Sequence, residues 1–158
     1  MALATRTVSI NPAFLQEIKD DHHELRQLMH HTAAMLNRPQ WMATEFDRLT
    51  ELCTKLRDQL ALHFSLEEAY GYFEDAVLVA PHLSKRAEQL RAQHYTLFNQ
   101  FCQLAELAER LRYEGRDEST LGEIVDGYRD FAMHLYEHEA NETELILAAF
   151  NEDLGAGD

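Results

Sequence analysis

Positive charge is scarce in this chain. Across 158 residues, 14 Lys and Arg stand against 28 Asp and Glu, for a formal net charge of −14. So acidic a surface repels phosphate backbones and anionic lipid headgroups, which argues against nucleic acid or a membrane surface as partner. The acidic residues are spread along the chain rather than gathered in a tail, as expected of a solvated surface. Long apolar runs are missing too. Nowhere do about 18 apolar residues follow one another, as a spanning helix needs, and MALATRTVSI lacks the apolar stretch of a signal peptide. A soluble cytoplasmic protein is the expectation. Cysteine is limited to Cys53 and Cys102 with no CxxC pattern, so two small buried hydrophobes are expected rather than a disulfide or redox pair. No nucleophile–base arrangement, Gly-rich phosphate loop or basic patch occurs, and hydrolytic and nucleotide chemistry have no support.

What remains is helical. The length suits one domain with a single core, and no strand pattern competes. Pro12, Pro39 and Pro81 each open a helical pattern, where a missing N–H goes unneeded. The first helix, capped by Asn11, carries the stripe Phe14, Ile18, His22, Leu25, Met29, Ala33, Leu36. The second begins near Pro39 or Trp41 and runs to about Ala76, with Gly71 marking a kink or close packing. The third follows Pro81 and carries Leu83, Ala87, Leu90, His94, Leu97, Phe101, Leu104, Ala108, Leu111 until Gly115 ends it. Asp117, Ser119 and Thr120 offer caps for the fourth, with Thr120 and Glu123 as a capping box, and that helix reaches about Phe150. Short loops between four long amphipathic helices predict an all-α, up-down-up-down antiparallel four-helix bundle over residues 11–150. Residues 1–10 and 151–158 are read as an N-terminal and a fraying C-terminal tail.

Nine histidines interrupt that apolar logic. Each helix has one on its core stripe: His22, His63, His94 and His138. Glu67 and Glu142 follow His63 and His138 by four residues, which stacks each pair on one helix face. The two halves of the chain therefore match, as a pseudo-repeat of about 70 residues in which each half is a helical hairpin. A single inward His is usually a hydrogen-bonded core residue. Four, joined by two inward carboxylates, would be severely destabilising unless something pairs them, and a dinuclear metal site pairs them all. His23, His30 and His31 fall well off the stripe and are expected to face solvent, and His82 lies in or beside a loop. His134, one turn before His138 on the flank, is a possible further ligand or its hydrogen-bonding support. Glu68 and Glu139 point away from the stripe and are expected at the surface. Tyr70 continues the stripe as a core residue, with phenolate ligation a minor alternative.

Imidazoles and carboxylates without thiolate suit iron, and also zinc, manganese or copper. Two glutamates can bridge two ions, and a redox role favours iron over zinc. The segments DHHELRQL, HFSLEEAY, AQHYTLFNQF and YEHEANETELI together resemble the hemerythrin-like family, the HHE cation-binding domains, over about residues 14–150. The resemblance implies a bundle holding two iron ions as a non-haem di-iron centre, oxo- or hydroxo-bridged. Glu67 and Glu142 would be its carboxylate bridges, and His22, His63, His94 and His138 would cap the irons. Leu90 stands where oxygen-carrying members place a second third-helix His, so the chain is similar to the four-His branch. His134 and Glu139 have the carriers' four-residue gap but lie on opposite flanks of the stripe. The implied function is binding of, or reaction with, oxygen, peroxide or nitric oxide, without an assigned enzymatic turnover. The alternative is an iron-responsive signalling module or iron-stress protein without oxygen carriage.

Overall fold

Apolar side chains spaced three and four apart need a partner surface, and here they supply it to one another across four long helices. The computed structural model describes residues 12–38, 45–69, 78 and 80–155. Helix α1 covers Pro12–Leu36, α2 Phe46–Ala69, α3 Ser84–Glu114 and α4 Glu118–Gly155, with a 3-10 turn at Pro81–Leu83 leading into α3. Among the described residues there is no strand. Helix α1 packs on α2, α2 on α3 and α3 on α4, and α1 also touches α4, making a helical bundle. No helix among the described residues is long and apolar enough to cross a membrane.

Local chemistry sets the helix ends, and several differ from expectation. Glu45 is non-helical and α2 starts at Phe46, later than Pro39 or Trp41. Pro81 opens the 3-10 turn instead of α3 itself. Gly115 ends α3 with φ 89° and ψ −177°, a conformation in effect reserved for glycine, while its N–H bonds to the Leu111 carbonyl. The cap of α4 is Asp117. Its carboxylate accepts from the Ser119 N–H at 3.0 Å and from the Thr120 hydroxyl at 2.9 Å, so Thr120 lies inside the helix and is not the cap of a Thr120–Glu123 box. Helix α4 continues through residues 151–155, beyond the expected end at Phe150. The expected cap at Asn11, the kink at Gly71, the side chain of Tyr70 and the end at Ala76 lie outside the described residues.

The core is in two parts. The larger runs through Leu49, Leu56 and Leu60 of α2, Leu97, Phe101 and Leu111 of α3, and Ile124, Phe131 and Leu135 of α4. The smaller holds Ala80, Leu83, Ala87 and Leu90 against Leu145 and Ala149. Between them, on α3 and α4, sit His94, His138 and Glu142. A polar layer thus divides the apolar interior near one end. Tyr128 ties α4 to α1 by donating its hydroxyl to the Met29 carbonyl at 2.6 Å. Cys53 is buried, Cys102 half-buried, and both are free thiols.

Candidate metal centre

The polar layer is built by the same three-and-four spacing that builds the core. On α2, His63 follows Leu60 and Glu67 follows Phe64; on α4, His138 follows Leu135 and Glu142 precedes Leu145; on α3, His94 sits between Leu90 and Leu97. His63, Glu67, His94, His138 and Glu142 are each 4 % exposed or less. Polar groups placed so deep are costly unless partnered. Behind each of the three rings, Nδ1 has a partner. His63 donates from Nδ1 to Asp21 Oδ2 at 2.6 Å, and Asp21 in turn accepts from Gln59 Nε2 at 2.7 Å. His138 donates from Nδ1 to Gln93 Oε1 at 2.8 Å, and His94 from Nδ1 to Glu68 Oε1 at 3.0 Å. Each neutral ring held this way presents the Nε2 lone pair to the interior.

On the inner side the atoms crowd, and of the three inward ring nitrogens His94 Nε2 alone makes a hydrogen bond, to Glu142 Oε1 at 3.2 Å. His63 Nε2 and Glu67 Oε1 are 2.8 Å apart, and His138 Nε2 and Glu142 Oε1 2.7 Å apart. Yet His63 Nε2, His138 Nε2 and both oxygens of Glu67 are directed so that none makes a hydrogen bond. Donors about 2.1 Å from one ion lie roughly 3 Å from each other, so close approach without bonding geometry is what ligands of a shared cation show. The ligating atoms form two groups: Glu67, His94, His138 and Glu142, all buried, and His22, His63 and Glu139, with only His63 fully buried. Glu67 stands between them, Oε1 toward His63 and Oε2 3.1 Å from His94 Nε2. Phe64 stacks on the His94 ring with centroids 4.2 Å apart and planes 13° apart.

Without an ion the charges balance by protonation. Burial opposes charge on His63, but the hydrogen bond to Asp21 and the close carboxylates of Glu67 and Asp21 outweigh it and raise its pKa to about 10. Burial likewise opposes charge on His94, and Glu142, Glu67 and Glu68 raise it to about 9. Burial would lift Glu67, yet His63 and His94 hold its carboxyl well below the usual range. His22 moves the other way, lowered by burial and by its neighbour His63. Burial pushes the Cys53 thiol up to about 12, so no thiolate is at hand. A metal ion would replace the Nε2 protons.

All six expected ligands therefore meet in one layer, but their surroundings hold corrections. His22 is half-buried; the buried residues of α1 are Asp21, Leu25, Thr32, Met35 and Leu36, so the expected Leu25 and Leu36 face the core while Asp21 is buried more deeply than His22. Glu139 is not a surface residue pointing away. It stands three residues before Glu142, hence on an adjoining face, and its Oε1 lies 3.7 Å from His63 Nε2. Glu68 is exposed as expected but turns its carboxylate back to His94. His134 is exposed, pairs with Gln100 at 3.2 Å and joins neither group. Sequence reasoning missed Asp21, Gln59 and Gln93. Asp21 carried a signal, since it precedes Leu25 by one turn on the core face; Gln93 carried none. No family model matches the chain, and neither a curated protein nor a solved structure matches it.

Proposed function

We propose that this protein is a hemerythrin-type, non-haem di-iron protein that binds or reacts with oxygen, peroxide or nitric oxide. The observation that carries the reading is the convergence of His63 Nε2, His138 Nε2 and both Glu67 oxygens, buried and without hydrogen-bond partners. Two positions are favoured over one because the ligating atoms fall into two groups with Glu67 offering one oxygen toward each. The donor set, nitrogen and carboxylate oxygen with no cysteine in either group, fits iron, and the resemblance to HHE domains selects it over zinc or manganese.

An iron pair bound here would supply electrons to a diatomic ligand or to peroxide. The chain's own residues do the rest. Glu67 and Glu142 bring carboxylate to the pair, Asp21, Glu68 and Gln93 hold the rings in one tautomer, and Leu60, Leu90, Leu97 and Leu135, all buried, keep bulk water away. The reading includes an up-down-up-down antiparallel bundle. Two contacts between α2 and α3 support it: Thr50 reaches Ala108 and Glu67 reaches His94, so positions ascend on one helix as they descend on the other. Gln93 with His138 and Gln100 with His134 run the same way between α3 and α4.

The test is to produce the chain with iron supplied, count iron per chain and record the absorption of reduced protein before and after air. Two irons and a charge-transfer band on oxidation are expected. Colourless protein with substoichiometric iron overturns the reading.

A further inference from the structure

The two groups of ligating atoms differ in what surrounds them. Glu67, His94, His138 and Glu142 are all buried, and the two rings are fixed from behind by Glu68 and Gln93. The second group faces the seam between α1 and α4, where His22 is half-buried and the Glu139 side chain is 30 % exposed. From the six residues that the stripes single out, this outer position would receive two imidazoles and one oxygen of Glu67, because Glu142 falls with the inner group alone and not between the two. That is three donors, one of them shared, for an ion that ordinarily takes four or more. Glu139 supplies what is short. A carboxylate oxygen of Glu139 and a ring nitrogen from each of His22 and His63 lie within 4.8 Å of one another, and Glu139 Oε1 approaches His63 Nε2 to 3.7 Å. The His63 side chain is 1 % exposed, and this nitrogen is buried without a hydrogen-bond partner. Among the described residues no lysine or arginine forms an ion pair with Glu139, and Arg26 acts on it only through charge at longer range.

We propose that Glu139 is a terminal ligand of the outer metal position, and that this position fills after the inner one and exchanges faster. The inference rests on the dinuclear reading above and adds an inequality to it. At the inner position four buried donors replace the ion's hydration shell, and release requires protein groups to part. At the outer position water reaches the ion past Glu139 and His22, completing its coordination and giving a chelator somewhere to begin. The carboxylate is the only donor of the outer group that is neither an imidazole nor shared with the inner ion. Removing it therefore weakens the outer ion selectively.

The experiment is an anaerobic titration of the metal-free full chain with Fe2+, followed by calorimetry. Wild type is compared with Glu139→Gln and, as a control at an exposed site one turn before Asn141, Glu137→Gln. Wild type and the control should take two ions in two resolved steps. Glu139→Gln should keep the first step and weaken the second at least about tenfold, the lower end of what groups one shell further out contribute. Two ions bound equally tightly by Glu139→Gln and wild type overturn the inference and leave the dinuclear reading standing. Both steps weakened alike overturn it too, since Glu139 would then not serve the outer position alone. Fewer than two ions on wild type overturn the dinuclear reading and the inference together. Helicity of each metal-free variant reports folding, and Glu139→Asp, which draws the carboxylate back by one methylene, serves with the same outcomes should Glu139→Gln lose it.

Discussion

The two nitrogens of His63 have separate duties: Nδ1 is tied to Asp21, and Nε2 is turned inward. Changing Asp21 to Asn removes the carboxylate that orients and charges the ring, and metal affinity should fall by about 10–100-fold. A competition titration against a chelator of known affinity measures this. Proton linkage gives a second expectation. In the metal-free chain His63 and His94 bind protons up to about 10 and about 9, against an ordinary 6.5 when unfolded. Between 6.5 and those values the folded state holds more protons than the unfolded one, so stability is full below 6.5 and declines as pH rises through the window. Glu67, held below its ordinary 4.5, adds stability present above 4.5 and lost as pH falls further. The urea midpoint of chelator-treated protein should thus be lower near pH 9 than near pH 6, whereas metal affinity should rise with pH as Nε2 protons become easier to displace.

Helix ends and helix interiors make different demands on glycine, and α3 and α4 show both. Gly115 has a φ of 89° that other residues adopt only under strain, so Gly115→Ala should cost about 1–3 kcal/mol. Gly122 is exposed within α4, and a Cβ there meets nothing within 4 Å, so Gly122→Ala should stabilise by about 0.5–1 kcal/mol. Denaturant melts of the two variants should move in opposite directions. At this scale the sequence was legible where periodicity or a special backbone conformation left a trace. The heptads of α3 and α4 announced themselves through Leu90, Leu97, Phe131 and Leu135, and Gly115 marked a stop. Asp117 outcompeted Thr120 as cap because its carboxylate takes two donors at once. The phase of α1 was ambiguous for a physical reason: His22 and Asp21 begin two overlapping three-and-four series, both contribute to the buried face, and contact with Gln59 and His63 draws Asp21 inward. Glu139 escaped notice because stripe counting treats a flank as solvent, while in the bundle the flank of α4 is the face toward α1.

For the molecule as a whole, an ion that binds only the folded chain adds its binding free energy to stability. At a free concentration 100 times Kd one site contributes about 2.7 kcal/mol, so melting with saturating Fe2+ and with chelator should differ by several degrees. Phe101, fully buried in the larger core, should cost about 3–5 kcal/mol when cut to Ala in either condition, since it lies away from the layer. The layer also partitions the interior. Among the described residues, Leu83, Ala87, Leu90, Leu145 and Ala149 form a small apolar cap, set apart from the main core by His94, His138 and Glu142. So small a cluster has little packing energy of its own, and its cooperativity with the rest passes through ionisable groups. Amide hydrogens near Leu90 and Leu145 should therefore exchange through brief local openings whose frequency drops sharply when metal is added, while those near Leu56 and Phe101 wait for global unfolding. The end of the bundle that holds the site would then breathe at a rate set by what the site contains.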